Sequence, residues 1–320
     1  MEEPQGGDHF GEEIDMSKQR IFVRKKLKKL ICLLLLAILF MGCSNMLDDF
    51  LPALKSTKRI FWSTWDMNVP THGSIKKAEI NNPLGTRQIV TDNFDYTPSA
   101  MEVDSINKKI YWVNNFNGYV HWANLDGSQQ EAIINDVNWI YDLCLDTERE
   151  KIYWVTDACI KKTNLNGSGL ISSFDNLGPG ASHNQIAIDV FRKRLYWTRG
   201  GGIYSANLDC NNSKQIISED TQNAMALHPY NKKIYWVPNL AEMGFMRADL
   251  DGSNIEHINI GEQIGLNNFV IDIINYKIYF ASGIGGLACI KQCNLDGTDI
   301  KVFITEDPGI SILSLALEYD

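Results

Sequence analysis

Lys109-Ile110-Tyr111-Trp112-Val113 and, a short way downstream, Asn124-Leu125-Asp126-Gly127-Ser128 are the stretch from which the rest of the chain can be read. The first segment is β-branched and aromatic, the composition that suits a strand. The second holds an Asp-Gly pair, which marks a tight hairpin because glycine accepts the positive φ that the turn demands. Ahead of them lies Met101-Glu102-Val103-Asp104, apolar and closed by an acid, and behind them the apolar piece Glu131-Ala132-Ile133-Ile134. Four short strands joined by tight turns make one small antiparallel sheet.

That unit recurs. The triplets Ile60-Phe61-Trp62, Ile110-Tyr111-Trp112, Ile152-Tyr153-Trp154, Leu195-Tyr196-Trp197, Ile234-Tyr235-Trp236 and Ile278-Tyr279-Phe280 follow one another at spacings of 50, 42, 43, 39 and 44 residues. Repeats of about 40–45 residues with strand composition indicate propeller blades. Strands apolar on both faces suit sheets stacked between two neighbours. The strand-one acid returns as Asp146, Asp189 and Asp272, with His228 in its place once, and the hairpin returns as Asn164-Leu165-Asn166-Gly167, Asp249-Leu250-Asp251-Gly252 and Asn294-Leu295-Asp296-Gly297. Cys210 replaces the glycine in one repeat. The first triplet has no strand one before it, whereas Leu315-Ala316-Leu317-Glu318 at the other end matches one. The expected fold is therefore all-β: a six-bladed β-propeller over residues 56–320, four antiparallel strands per blade, its ring closed by the C-terminal strand.

The Tyr-Trp pairs and Asn-Leu-Asp-Gly turns resemble the YWTD repeat, the class B repeat of low-density lipoprotein receptors. The resemblance implies a six-bladed propeller. The chain departs from that pattern at the fourth motif position, where Asn114, Arg199, Pro238 and Ser282 stand and Asp157 falls one place late. The fit to WD40 is weaker, since Trp-Asp occurs only at Trp65-Asp66.

The first 43 residues read as an address. Arg24-Lys25-Lys26-Leu27-Lys28-Lys29 precedes the apolar run Leu30 to Met41 and then Gly42-Cys43-Ser44-Asn45. A basic segment, a short apolar core and a small residue form an export signal. The run falls short of the roughly 20 residues of a membrane span. Phe40-Met41-Gly42-Cys43 resembles a bacterial lipobox, which implies lipidation of Cys43. Residues 1–15 are expected to be a start assigned too early, 16–43 a lipoprotein signal and 44–55 a tether. The expected destination is the bacterial cell envelope, held at a membrane by the lipid, with Ser44 compatible with the outer membrane or surface.

A formal charge of −9 and a pI near 5.2 argue against nucleic acid as a partner. Seven Cys are too few for a disulfide-built fold, and those beyond Cys43 read as buried thiols. His72, His121, His183, His228 and His257 fall in no zinc-ligand spacing, and no Gly-x-Ser-x-Gly elbow occurs. Gly200-Gly201-Gly202 links two strands and reads as a turn. The strand-one acids read as turn caps facing basic residues, as in Asp104 with Lys108 and Asp189 with Lys193. The basic turns Lys108-Lys109, Arg192-Lys193-Arg194 and Lys232-Lys233 read as a solvated face. No catalytic residue, metal ligand or cofactor is expected. Binding is the expected function, to a protein or glycan, on the rim where the loops from strand four to one and from two to three converge. The candidate contacts there are Trp65, Phe116, Trp139, Tyr141, Asn184, Asn223 and Asn268. The alternative is a hydrolase of the six-bladed lactonase kind, which would need a metal or carboxylate cluster in the central channel. Ser99, Asn184, Asn223 and Asn268 near the channel entrances offer no such cluster.

Overall fold

The computed structural model describes Ser56–Asp320, apart from positions 70–72, 84, 86–87, 95–97, 115–117, 137–138, 158, 170–171, 177–184, 219–220, 239–242, 263, 265–268 and 285. Cys43 and the signal and tether segments lie outside the described residues. Six four-stranded antiparallel sheets follow one another. Blade 1 holds β1 (Thr57–Asp66), β2 (Gly73–Glu79) and β3 (Gln88–Phe94). Blade 2 holds β4 (Pro98–Asp104), β5 (Lys109–Asn114), β6 (Tyr119–Asn124) and β7 (Glu131–Asn135). Blade 3 holds β8 (Ile140–Asp146), β9 (Lys151–Thr156), β10 (Cys159–Asn164) and β11 (Ser172–Asn176). Blade 4 holds β12 (Ile186–Asp189), β13 (Arg194–Arg199), β14 (Gly202–Asn207) and β15 (Lys214–Ile217). Blade 5 holds β16 (Thr221–His228), β17 (Lys233–Pro238), β18 (Phe245–Asp249) and β19 (Glu256–Ile258). Blade 6 holds β20 (Phe269–Asp272), β21 (Lys277–Ile284), β22 (Leu287–Asn294) and β23 (Lys301–Thr305). The last strand, β24 (Ile310–Tyr319), is the fourth strand of blade 1, in the order β24-β1-β2-β3. It pairs antiparallel with β1, Leu317 opposite Ile60 and Leu315 opposite Trp62. The C-terminal strand thus closes the ring, and the inner edge of β1 is not left open.

The recurring Tyr-Trp pair has a geometric cause. Successive strand residues point to opposite faces of a sheet. Tyr therefore meets one neighbouring blade and Trp the other. Trp112 packs with Phe61 and Ile75 of blade 1, while Tyr111 packs with Trp154 of blade 3. The same meeting joins Tyr153 to Trp197, Tyr196 to Trp236, Tyr235 to Phe280 and Tyr279 to Trp62. All five motif tryptophans are at most 1% exposed, so these large side chains are scaffold rather than contact surface.

Polar clamps reinforce three of these seams. Asp136, just after the outer strand of blade 2, accepts the Trp154 indole N–H at 2.9 Å and the Lys161 ammonium at 2.8 Å, both in blade 3. Glu306, just after β23, accepts Trp62 Nε1 and Lys76 Nζ of blade 1, each at 2.6 Å. Glu262 does the equivalent between blades 5 and 6, taking Lys291 and the Ser282 hydroxyl, because Phe280 has no N–H to give. The hairpin glycine also serves a seam. Gly127 has φ of +86°, and a Cβ there would lie 1.7 Å from the Val90 carbonyl oxygen of blade 1.

Candidate functional site

The inner strands run from the loop rim, where strand four of one blade crosses to strand one of the next, down to the turns between strands one and two. At those turns the strand-one acids act locally. Asp104 accepts the Ile106 and Asn107 backbone N–H groups and the Asn107 side-chain amide at 2.7 Å. Asp146 and Asp189 each accept a backbone N–H three residues on and the guanidinium of the same residue, Arg149 and Arg192. Asp272 accepts Ile274 N, Asn275 N, Asn275 Nδ2 and, across the ring seam, the Thr57 hydroxyl at 2.6 Å. Turn capping is as the sequence suggests, but the partners differ. Lys108 reaches Glu318 rather than Asp104, and Asp189 takes Arg192 rather than Lys193. The reason is spacing: the residue three places on completes the capped turn, while the next one has positive φ and turns away. His228 is fully buried at the acid position and accepts the Asn231 N–H on Nδ1 at 3.3 Å, while its Nε2 has no partner among the described residues. Burial lowers its pKa and favours the neutral ring.

The candidate contacts divide. Trp139, immediately before β8, is 57% exposed at the loop rim. Trp65, near the end of β1, is half-buried and lies opposite Gly73 and Ser311. Tyr141 in β8 packs partly against the core shared by blades 3 and 4. Asn223 is on β16, with only its backbone described. Phe116, Asn184 and Asn268 lie outside the described residues. No ring contact joins Trp65, Trp139 and Tyr141 among the described residues.

The channel holds what the sequence reading missed. Glu102 of β4 and Asp142 of β8 stand on neighbouring inner strands and repel each other, so an acidic pair is present where none was expected. Both are half-buried. Desolvation, with repulsion from Asp142 added, pushes Glu102 up to about 8. Desolvation also raises Asp142 to about 7, opposed by the N–H groups of Ile186 and Leu143. The Ile186 bond, at 3.0 Å, ties blade 3 to blade 4, and Gln185 one repeat later accepts the Met225 N–H at the same register. A signal was available: Glu102 occupies the position held elsewhere by Cys144, Ala187, Ala226, Val270 and Ala316. Among the described residues no group of three His, Cys, Asp or Glu side chains converges to hold a metal, and Cys144, Cys159, Cys210, Cys289 and Cys293 are free thiols.

No family model matches the chain. Among curated proteins it is 29% identical over 140 residues to the human low-density lipoprotein receptor-related protein 5-like protein, covering 40% of this chain and 53% of that one. It is 22% identical over 251 residues to the vitellogenin receptor of Solenopsis invicta, covering 74% of this chain and 13% of the receptor. The chain thus spans well under two thirds of these relatives' length. Among solved structures, the nidogen/laminin complex matches with a TM-score of 0.64 at 14% identity, over 82% of this chain and 98% of that one. TolB from Acinetobacter baumannii matches with a TM-score of 0.69 at 13% identity, over 81% of this chain and 66% of TolB. A gluconolactonase from Xanthomonas campestris matches with a TM-score of 0.53 at 12% identity, over 66% and 76% of the two chains. At such identities the structural likenesses speak for the fold alone.

Proposed function

We propose that this chain, a six-bladed β-propeller related to YWTD-repeat and low-density-lipoprotein-receptor proteins, is a non-catalytic binding or scaffold protein. In this reading it is exported, lipid-anchored through Cys43 in a bacterial envelope, and presents its loop rim to a protein or glycan. One observation carries the reading. The motif aromatics are consumed by the blade seams, while Trp139 stands 57% exposed at the rim with no structural partner among the described rings. An exposed tryptophan among loops is the residue type that dominates binding surfaces. The candidate contacts Trp65, Phe116, Tyr141, Asn184, Asn223 and Asn268 belong to the same proposal. The nidogen likeness, to a structure solved as a complex with laminin, agrees with a protein partner.

The rival reading is a metal-dependent hydrolase, favoured by the gluconolactonase likeness and by Glu102 with Asp142 in the channel. These residues do not fit a metal well. They are two donors biased towards protonation, and ligation requires carboxylates that are ionised. Metal analysis of the purified full chain tests the point: no stoichiometric calcium or zinc is expected, and finding either would overturn the non-catalytic reading. The anchor has its own test. Cys43→Ala is expected to move the protein from the membrane to the soluble fraction, and continued membrane retention would overturn lipidation at Cys43.

A further inference from the structure

The turns between strands one and two end the propeller on the side opposite the loop rim, and they expose large apolar side chains. Ile106 in blade 2, Phe191 in blade 4, Tyr230 in blade 5 and Tyr276 in blade 6 are 40–66% exposed. The three aromatics run together across blades 4 to 6. Phe191 meets Tyr230 with ring centroids 5.1 Å apart, and Tyr276 meets His228, two residues before Tyr230, at 5.3 Å. The hairpins at the same end of the blades hold polar residues instead, Asp126, Asn166, Asp251 and Asp296, each capping its own turn. Exposed apolar groups gathered in one patch mark an interaction surface.

Cations stand among the rings. Lys193 follows Phe191 by two places and Lys232 follows Tyr230 by two, both exposed. Carboxylates of the same two blades pair elsewhere: Asp189 with Arg192, Asp209 with Lys162, Asp249 with Lys233 and Glu256 with Arg247. The turns of blades 1 and 3 differ, with Asp320, paired with Lys58 at 3.5 Å, in one and Glu148 and Glu150 in the other. The patch that is both aromatic and cationic therefore covers blades 4 to 6.

The point where the chain enters the propeller lies at this end too. The Asp320 N–H donates to the Ser56 carbonyl at 2.9 Å. The Thr57 hydroxyl donates to Asp272 at 2.6 Å and the Tyr319 N–H to the Ser105 hydroxyl at 2.9 Å, in the turns of blades 6 and 2. Ser56 stands thirteen residues after Cys43. Fully extended, so short a segment spans at most about 45 Å. A lipid on Cys43 would hold the turn face near the bilayer at an effective concentration on the order of millimolar.

We propose that the strand-one turns of blades 4 to 6 dock on an anionic lipid surface, with Phe191, Tyr230 and Tyr276 in the headgroup layer and Lys193 and Lys232 against the lipid phosphates. Aromatic rings favour that layer, and cations are drawn to an anionic leaflet. A two-fold dimer through the patch would bring two sets of unpaired lysines together, whereas an anionic leaflet matches them. The inference rests on the anchored reading above and deepens it, because docking by the turns leaves the loop rim with Trp139 facing outward. It also gives the basic turns, expected from the sequence to form a solvated face, a surface to meet. Such a contact yields to salt, so a salt-washed membrane fraction leaves the Cys43→Ala test intact.

The test mixes the purified full chain with vesicles of phosphatidylglycerol and phosphatidylethanolamine. An environment-sensitive fluorescent amino acid replaces Phe191 in one variant and Trp139 in another. Adding vesicles is expected to shift the emission at 191 to the blue and to leave that at 139 unchanged. Lys193→Gln with Lys232→Gln, about 0.5 M salt, or phosphatidylcholine in place of phosphatidylglycerol should each reduce the shift. Sedimented protein unshifted at 191, equal shifts at 191 and 139, or a shift indifferent to the lysines and to salt would overturn docking. A blue shift at 191 that grows with protein concentration without vesicles would overturn it in favour of a second copy. The anchor fails separately. Protein that sediments, shifts at 191 and is released by salt keeps the docking and loses the anchor. Protein that stays sedimented with 191 unshifted keeps the anchor and loses the docking, and protein left in solution overturns both.

Discussion

Glu102 puts a carboxyl at a position where the other repeats hold Cys144, Ala187, Ala226, Val270 and Ala316. Its carboxyl stays protonated in the folded state up to about pH 8, against an ordinary value of 4.5. A folded-state pKa raised in this way gives stability that is fully present below about pH 4.5 and lost as the pH rises through about 8. Glu102→Gln is neutral throughout, so chemical denaturation should show the wild type losing stability across that window and the variant losing less of it. Equal slopes would refute the buried-pair description. Asp142→Asn should relieve the repulsion on Glu102, so that the loss becomes smaller and is complete at a lower pH. Gly127 is the other decisive residue. Ala there is disfavoured both by its positive φ and by the Val90 carbonyl, so the variant should lose more than about 1 kcal/mol in urea unfolding.

Elements meet at seams, and the seams can be tested one at a time. Removing the Asp136 carboxylate leaves the Trp154 N–H and the Lys161 ammonium without their acceptor. Asp136→Ala should cost about 3 kcal/mol, as breaking a buried pair does. Phe280 marks the contrast, because the seam at Glu262 lacks the indole bond. Closure of the ring is the larger claim. β24 supplies the inner strand of blade 1, with Glu318 taking Arg59 at 2.9 Å and Lys108 at 3.1 Å. Deleting residues 313–320 should lower the melting temperature sharply, and an unchanged melting curve would contradict closure. This element was legible in the sequence, because Leu315-Ala316-Leu317-Glu318 repeats the apolar strand that an acid closes in four of the other blades and His228 in the fifth. The clamps were not. Asp136 and Glu306 each stand first after an outer strand, outside the repeated motifs, and only the folded ring brings each to the tryptophan of the next blade.

For the whole molecule, repetition made the fold readable and hid the sites. Period, hairpins and aromatic pairs are written identically many times, so the blade count and strand order followed directly. A site depends instead on departures from the repeat. Glu102 and Asp142 are far apart in sequence and meet only because β4 and β8 are neighbours around the channel. Blade 4 departs from the repeat at Arg194, Arg199 and Cys210. Trp139 was recognisable because it lies outside the motif. Whether the loop rim around it meets a partner is best measured by photo-cross-linking in intact host cells. A photoreactive residue would replace Trp139 in one variant and Ile300, exposed on the outer edge of blade 6, in another. A discrete adduct from position 139 and none from position 300 is expected. No adduct from 139, or the same adducts from both, would contradict a binding rim.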